Sequence, residues 1–276
     1  TVKARLIAQK HHLIIEQVEK QFGQGSDQIT EEMILNYISQ KSDKQVITKN
    51  ADSPRSRNNH QIDRILVLGG GNIAVLVLDI LTRVPNQQAV GILDDNPTTH
   101  GTAVFGCPIL GKLELVTQLW EQNAFDFAAL AIGQLPTRAQ IYEKFSNTGI
   151  PFANIIDSTA SISTNVQMGS GNMIMGFCRI GPECVIGDNN FLSAYINLEH
   201  HNRLGNDCTF GPGVVTSGGV IIGDQVRFGT GIFIEPRLTI GSNSTIASGV
   251  ILTTNVPENT IVKSKKRSDI RENAAA

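Results

Sequence analysis

The sequence is short of aromatic residues, 5% of its 276 positions, and short of charge, since Asp, Glu, Lys and Arg reach only 17% together. A disordered chain shows the reverse balance, so an apolar content of 41% points to a real core. Neither sign of charge dominates: a formal net charge of −2 argues against a generalised basic surface for nucleic acid. Four cysteines in a chain of this length do not make a disulfide framework. No apolar run reaches the ~18 residues of a membrane span. The N-terminus lacks the charged, apolar and small-residue order of a secretory signal, and a cytoplasmic location is expected. Glycine, by contrast, is plentiful at 26. Few aromatics with many Gly, Ile and Val suggest thin, regular layers joined by tight turns.

Three segments follow one another. Residues 1–60 are polar and helix-like: Leu6, Leu13, Ile14, Val18 and Phe22 recur at helical spacing, and Thr30 can cap a second helix. Residues 41–60, with Pro54, read as a linker. Residues 61–152 alternate strand and helix. Strands are expected at 65–68, 89–93 and 127–132, with helices at 74–82, 111–123 and 136–148. This pattern implies a small parallel sheet covered by helices. Gly69-Gly70-Gly71 follows the first strand, and Asp94-Asp95 ends the second.

Residues 153–276 carry a repeat. Every sixth residue is Ile156, Ile162, Met168, Ile174, Ile180, Ile186, Leu192, Leu198, Leu204, Phe210, Thr216, Ile222, Phe228, Ile234, Ile240, Ile246 and Leu252. Only Thr216 is not a large apolar residue. Gly follows many of them, and the position two before is small or β-branched, as at Cys178, Cys184, Cys208, Val214, Val220 and Val226. A period of six fits a coil of short strands with one corner per hexad and three hexads per triangular turn. Coils would stack at the interstrand spacing of ~4.8 Å, the apolar residue filling the prism. Gly and Asn at the corners would supply positive φ. The result is a parallel β-helix of about five coils. Three cysteines fall in the small inward phase, none 18 residues from another, and are read as structural filler.

This hexapeptide series resembles the left-handed β-helix of acyl-CoA-dependent acyltransferases. The strand running into Gly69-Gly-Gly71, then Val77-Leu-Asp-Ile-Leu81, Gly91-Ile-Leu-Asp-Asp95 and Phe105-Gly-Cys-Pro-Ile-Leu-Gly111, is similar to the start of one family among them. That family is the sugar acetyltransferases, which include sialic-acid O-acetyltransferases and UDP-4-amino-sugar N-acetyltransferases. The resemblance covers residues 64–260. It implies an α/β Rossmann-like N-terminal domain followed by a left-handed parallel β-helix, with a short helical extension in front. It also implies a homotrimer that binds a nucleotide sugar and acetyl-CoA.

The resemblance assigns roles. Gly69, Gly70, Gly71, Asp94 and Asp95 are candidates for the sugar nucleotide: glycines after a strand let backbone N–H groups approach phosphate. His200, in Ile196-Asn-Leu-Glu-His-His-Asn-Arg-Leu-Gly205, stands where the family has its general base, with Glu199 or His201 beside it. Acyl transfer to an amine or hydroxyl needs such a base, worth typically 10²–10⁴-fold. Gly218, Gly219, Lys263 and Lys265 are candidates for coenzyme A. Four positions depart from the pattern: His201 replaces an acid, Thr209 and Ile73 replace histidines, and Val262-Lys-Ser-Lys-Lys-Arg267 replaces a Gly-x-Pro-Ala stretch.

No metal is expected. His200 and His201 are adjacent, no third histidine occurs in the repeat, and His11, His12, His60 and His100 read as surface residues. The expected function is transfer of a short acyl group from acyl-CoA to an amine or hydroxyl of a nucleotide-linked sugar, in surface glycan synthesis. The alternative is a non-catalytic trimeric sugar-nucleotide binder or scaffold.

Overall fold

The computed structural model describes residues 62–264. The helices expected within residues 1–60, and Lys265, lie outside them. The first layer is a five-stranded sheet ordered β3-β4-β2-β1-β5. Its strands are β1 (Asp63–Leu68), β2 (Gln87–Leu93), β3 (Ala103–Val104), β4 (Cys107–Gly111) and β5 (Phe127–Leu130). All run parallel except β3, which is antiparallel to β4. Residues 65–68 are buried on both faces, which is why they read as a continuous apolar run. Helices α1 (Asn72–Arg83), α2 (Leu115–Glu121) and α3 (Leu135–Ser146) complete the layer. α1 buries Ala74, Val77, Leu78 and Leu81 at helical spacing.

Two expectations need correction. β4 is a strand that the strand–helix pattern did not provide for. It is short, and its residues alternate between buried and solvent-facing as on a half-covered edge. α2 begins later than residue 111, because the Asp95 carboxylate accepts the Leu113 N–H at 2.9 Å and holds the preceding residues in a turn.

From Ile155 onward, two-residue strands recur every six residues and pair at an 18-residue offset, Ile180 lying between Ile162 and Leu198. They form three parallel sheets of six, five and seven strands, the faces of a left-handed triangular prism. The interior series is fully buried from Ile174 to Leu252, Thr216 included, and Phe210 stacks on Phe228 at 4.5 Å. Each large side chain so buried contributes about 1.5–3 kcal/mol. The offset shortens at the end, where Thr245 pairs with Ile261 and Ile240 bridges to Val256.

At half of the corners Gly and Asn supply positive φ as expected: Gly171, Asn189, Gly213, Gly219, Gly231, Asn243 and Gly249. From Gly171 to Gly249 positive φ falls three residues before each interior position, and other residue types carry it as well. Phe177, Glu183, Tyr195, His201, Asp207, Gln225 and Arg237 have φ of 57 to 63°. An L side chain held there costs about 1–2 kcal/mol, which interior burial and the coil-to-coil hydrogen bonds offset. The glycines that follow the interior residues are not left-handed. They are needed because the next coil passes too close for a side chain: a Cβ on Gly187 would lie 2.6 Å from the Gly205 carbonyl oxygen.

A buried asparagine ladder also runs through the first coils. Backbone N–H groups of Asn172, Asn190 and Cys208 donate to the Oδ1 atoms of Asn154, Asn172 and Asn190 at 2.9, 2.9 and 2.8 Å. Each of these asparagines donates its Nδ2 to a glycine carbonyl, at residues 169, 187 and 205.

The sheet layer packs on the first coils, sharing a core that joins Ala74, Leu78 and Ile155 with Met173 and Phe191. Arg138 of α3 is fully buried and donates to Cys208 O at 3.0 Å and Thr209 Oγ1 at 3.0 Å. Burial pushes its guanidinium down to about 10, against the pull of Asp207. Of the three left-handed corner columns, the one with Gly171 and Asp207 therefore meets α3. The one with Phe177 and Tyr195 borders α1 across a cavity of about 350 Å³. The third, with Glu183, His201 and Arg237, is exposed, and no element among the described residues covers it.

Candidate active site

His200 sits on that uncovered corner. The interior residues Leu198 and Leu204 anchor the coil on either side, and the turn between them throws His200 and His201 outward, both exposed. His201 takes the left-handed position at φ 60°. This turns its ring edge-on to that of His200, with centroids 5.1 Å apart and Nδ1 to Nδ1 at 3.0 Å. One of these nitrogens donates and the other accepts. When His200 is the donor, its Nε2 keeps a lone pair that can accept a proton. On the next coil the ring rests against Gly218, and Gly219 N–H donates to His200 O at 2.9 Å. A Cβ on Gly218 would lie 2.6 Å from His200 Nε2, so a side chain here would push the imidazole from this place.

Glu199 is turned elsewhere. Its carboxylate pairs with Arg179 at 2.9 Å and accepts from Asn197 Nδ2 at 3.3 Å. Of the two neighbours considered for His200, His201 is the one whose ring it meets. The backbone of the turn is bonded from below, Glu199 N–H donating to Thr216 Oγ1 at 3.2 Å. Sequence reasoning flagged Thr216 only as an exception and missed Asn202 and Arg179. The break in the interior series was the available signal.

The glycine loop lies at the other candidate place, where β1 meets α1. Gly69 is left-handed at φ 106°, and a Cβ there would meet Ala131 O at 2.8 Å. Asp94 braces the loop: one carboxylate oxygen accepts Gly70 N–H at 2.6 Å, the other Asn96 N–H at 2.8 Å. Asp95 accepts from Leu113, as above. Both acids are thus occupied in shaping the turns. His100, expected at the surface, is half-buried, with Nε2 2.7 Å from Asp94 O. Ile73 packs into the core of this layer.

The structure therefore gathers His200, His201, Gly218 and Gly219 at one place and Gly69, Gly70 and Asp94 at another. Lys263 is exposed just after the last strand. Thr209 bonds Arg138 and lies on the covered side of the prism. All four cysteines are free and buried. Burial raises the thiols, Cys178 to about 11 and Cys208 to about 12. Among the described residues no group of three or more His, Cys, Asp or Glu side chains could hold a metal ion, and no helix is long and apolar enough to cross a membrane.

The described residues thus form a largely parallel sheet domain set on a left-handed β-helix, with a histidine pair at an open corner. Comparison with known proteins agrees. Residues 64–145 match the family model described as the PglD N-terminal domain. A histidine mutant of perosamine N-acetyltransferase from Caulobacter crescentus, in complex with CoA and GDP-perosamine, superimposes with a TM-score of 0.68 at 28% identity, over 72% of this chain and 93% of that one. The acetyltransferase domain of PglB from Neisseria gonorrhoeae FA1090, in complex with acetyl coenzyme A, shares the fold with a TM-score of 0.68 at 24% identity, over 72% of this chain and 95% of that one. Among curated sequences, the acyl-[acyl-carrier-protein]–UDP-N-acetylglucosamine O-acyltransferase of Helicobacter pylori (strain Shi470) is 34% identical over 97 residues, 33% of this chain and 36% of that protein. The chain spans about a third of the length of the curated relatives it matches.

Proposed function

We propose that this chain transfers an acetyl or other short acyl group from acyl-CoA to an amine or hydroxyl of a nucleotide-linked sugar, with His200 as general base. The observation that carries the reading is the His200 ring, standing on the uncovered corner against Gly218 and bonded through Nδ1 to His201. With that bond donated by His200, Nε2 accepts the acceptor's proton as its nitrogen or oxygen attacks the thioester carbonyl. The tetrahedral intermediate then collapses, the C–S bond breaks, and the thiolate of CoA leaves and takes a proton from the imidazolium. Backbone N–H groups of a neighbouring coil would meet the oxyanion. No acyl-enzyme is needed. The relative that holds CoA and GDP-perosamine together supports this pairing of substrates.

In this reading the sugar nucleotide lies at the glycine loop, Gly69 to Gly71, with Asp94 and Asp95 keeping the loop in shape. Gly218 and Gly219 border the acyl group, and Lys263 and Lys265 offer charge to the phosphates of CoA. The active form is a homotrimer. Phe233 and Ile251 form an exposed apolar column on one prism face, which a second copy would cover. The protein would work in the cytoplasm.

Calorimetric titration with acetyl-CoA, followed by acetyl transfer onto a panel of amino-sugar nucleotides that includes GDP-perosamine, tests the proposal. Micromolar acetyl-CoA binding is expected, with turnover that His200→Ala lowers by about 10²-fold or more. Unchanged turnover in that variant refutes the base assignment. Sugar-nucleotide binding without acetyl-CoA binding favours a non-catalytic binder.

A further inference from the structure

The series of large interior residues has one polar member, and it lies beneath His200. Thr216 occupies the phase that is otherwise Ile, Leu, Met or Phe, and is fully buried. Asn202, also buried, occupies the phase of Cys184 and Val220, which Asn154, Asn172 and Asn190 also hold in the ladder; their Nδ2 atoms donate to carbonyls 15 residues on, and that of Asn202 does not. It turns inward instead: Asn202 Nδ2 donates to Thr216 Oγ1 at 2.7 Å. Together they hold both sides of one residue. Thr216 Oγ1 accepts Glu199 N–H at 3.2 Å, and Asn202 Nδ2 donates to Glu199 O at 2.6 Å. Asn202 Oδ1 is in turn fixed by Val220 N–H at 2.7 Å on the next coil. Glu199 is bonded to His200, so the peptide that carries the histidine is clamped from inside the prism.

In the coils on either side this space is filled without a polar pair, by Cys184 with Leu198 and by Val220 with Ile234. Buried hydrogen-bonded groups contribute little over well-packed apolar ones of the same shape. A polar pair confined to this coil is therefore better explained by what it orders than by what it stabilises. We propose that Thr216 and Asn202 are positioning residues that fix the His200 turn from within. This rests on His200 being the base.

The test uses the full chain with Thr216→Val and with the double change Thr216→Val/Asn202→Val, which makes both positions apolar, as Val220 and Ile234 are on the next coil. The double variant is expected to fold with a melting temperature equal to or above the parent's. Amide exchange across residues 199–202 should speed up at least tenfold. The kcat for acetyl transfer should fall about tenfold with KM for acetyl-CoA within twofold, and Thr216→Ser should recover most of it. Unchanged exchange in the double variant overturns the proposal. So does its failure to fold, since the pair would then be structural. So does unchanged kcat while His200→Ala abolishes turnover. Full turnover in His200→Ala instead removes the base reading itself, whatever the exchange data show.

Discussion

Replacing Gly218 by alanine places one carbon in the space that the His200 ring uses. The new Cβ would stand 2.6 Å from Nε2 and 3.0 Å from Nδ1, where ordinary contact is about 3.6 Å. Gly218 is not in the left-handed region, so its backbone accepts alanine, and the conflict is with a side chain rather than with the next coil. The ring must withdraw by about 1 Å, and a misplacement of that size at a reacting group can cost about 10²-fold. The expected result is a 10- to 100-fold fall in kcat for acetyl transfer from acetyl-CoA, with the melting temperature within a few degrees of the parent. Gly205→Ala is the matched control. There the Cβ would lie 2.8 Å from the Gly223 carbonyl carbon and 2.9 Å from Asp224 N, backbone that cannot swing away. That change should cost about 1–3 kcal/mol of stability instead. Parent-like kcat in a folded Gly218→Ala protein would show that the His200 ring, in this place, is not used for catalysis.

Three further outcomes are expected. Asn190→Ala removes the acceptor of the Cys208 N–H and the donor to Gly205 O, both within a buried ladder, and should cost about 2–4 kcal/mol by urea unfolding. The cysteines should resist alkylation at pH 8 until the protein unfolds, because burial holds Cys178 at about 11 and Cys208 at about 12. The sign of the linkage follows: above about pH 9 unfolded thiols ionise and folded ones do not, so stability falls as pH rises, and denaturation at pH 8 and 10 should show it. Finally, His201→Asp sets a carboxylate beside His200 and favours its protonated form, so the acidic limb of the pH–rate profile should move to higher pH.

Much of this fold could be read directly, because the repeat repeats its physics. Each interior residue from Ile174 on meets the same environment, and one phase over many hexads names the prism. What the repeat concealed was the reason for its glycines. In sequence they look like turn formers, yet Gly187 is there for a neighbouring carbonyl and the left-handed corner falls on residues such as Tyr195. Register across coils decides this, and an 18-residue partner is not apparent until coils are stacked. The site was legible in part. His200 stood out by motif and phase, but Glu199 could not be aimed without knowing that Arg179 lies one coil away. Asp94 and Asp95 looked like ligand groups because acids at a strand end are free in sequence. Only the folded loop shows Gly70, Asn96 and Leu113 already bound to them.

The asparagine ladder has a consequence for how the molecule comes apart. It ends at Cys208, and the covering sheet layer also meets only the earlier coils. Beyond that point each described coil has, within one chain, only its neighbours to hold it, and the last described pairing is shortened to Thr245 with Ile261. A stack of this kind loses coils from its less secured end. Under rising denaturant the C-terminal coils should fray first, reaching Gly218 before His200, so catalysis would fail while the sheet layer and the first coils are still intact.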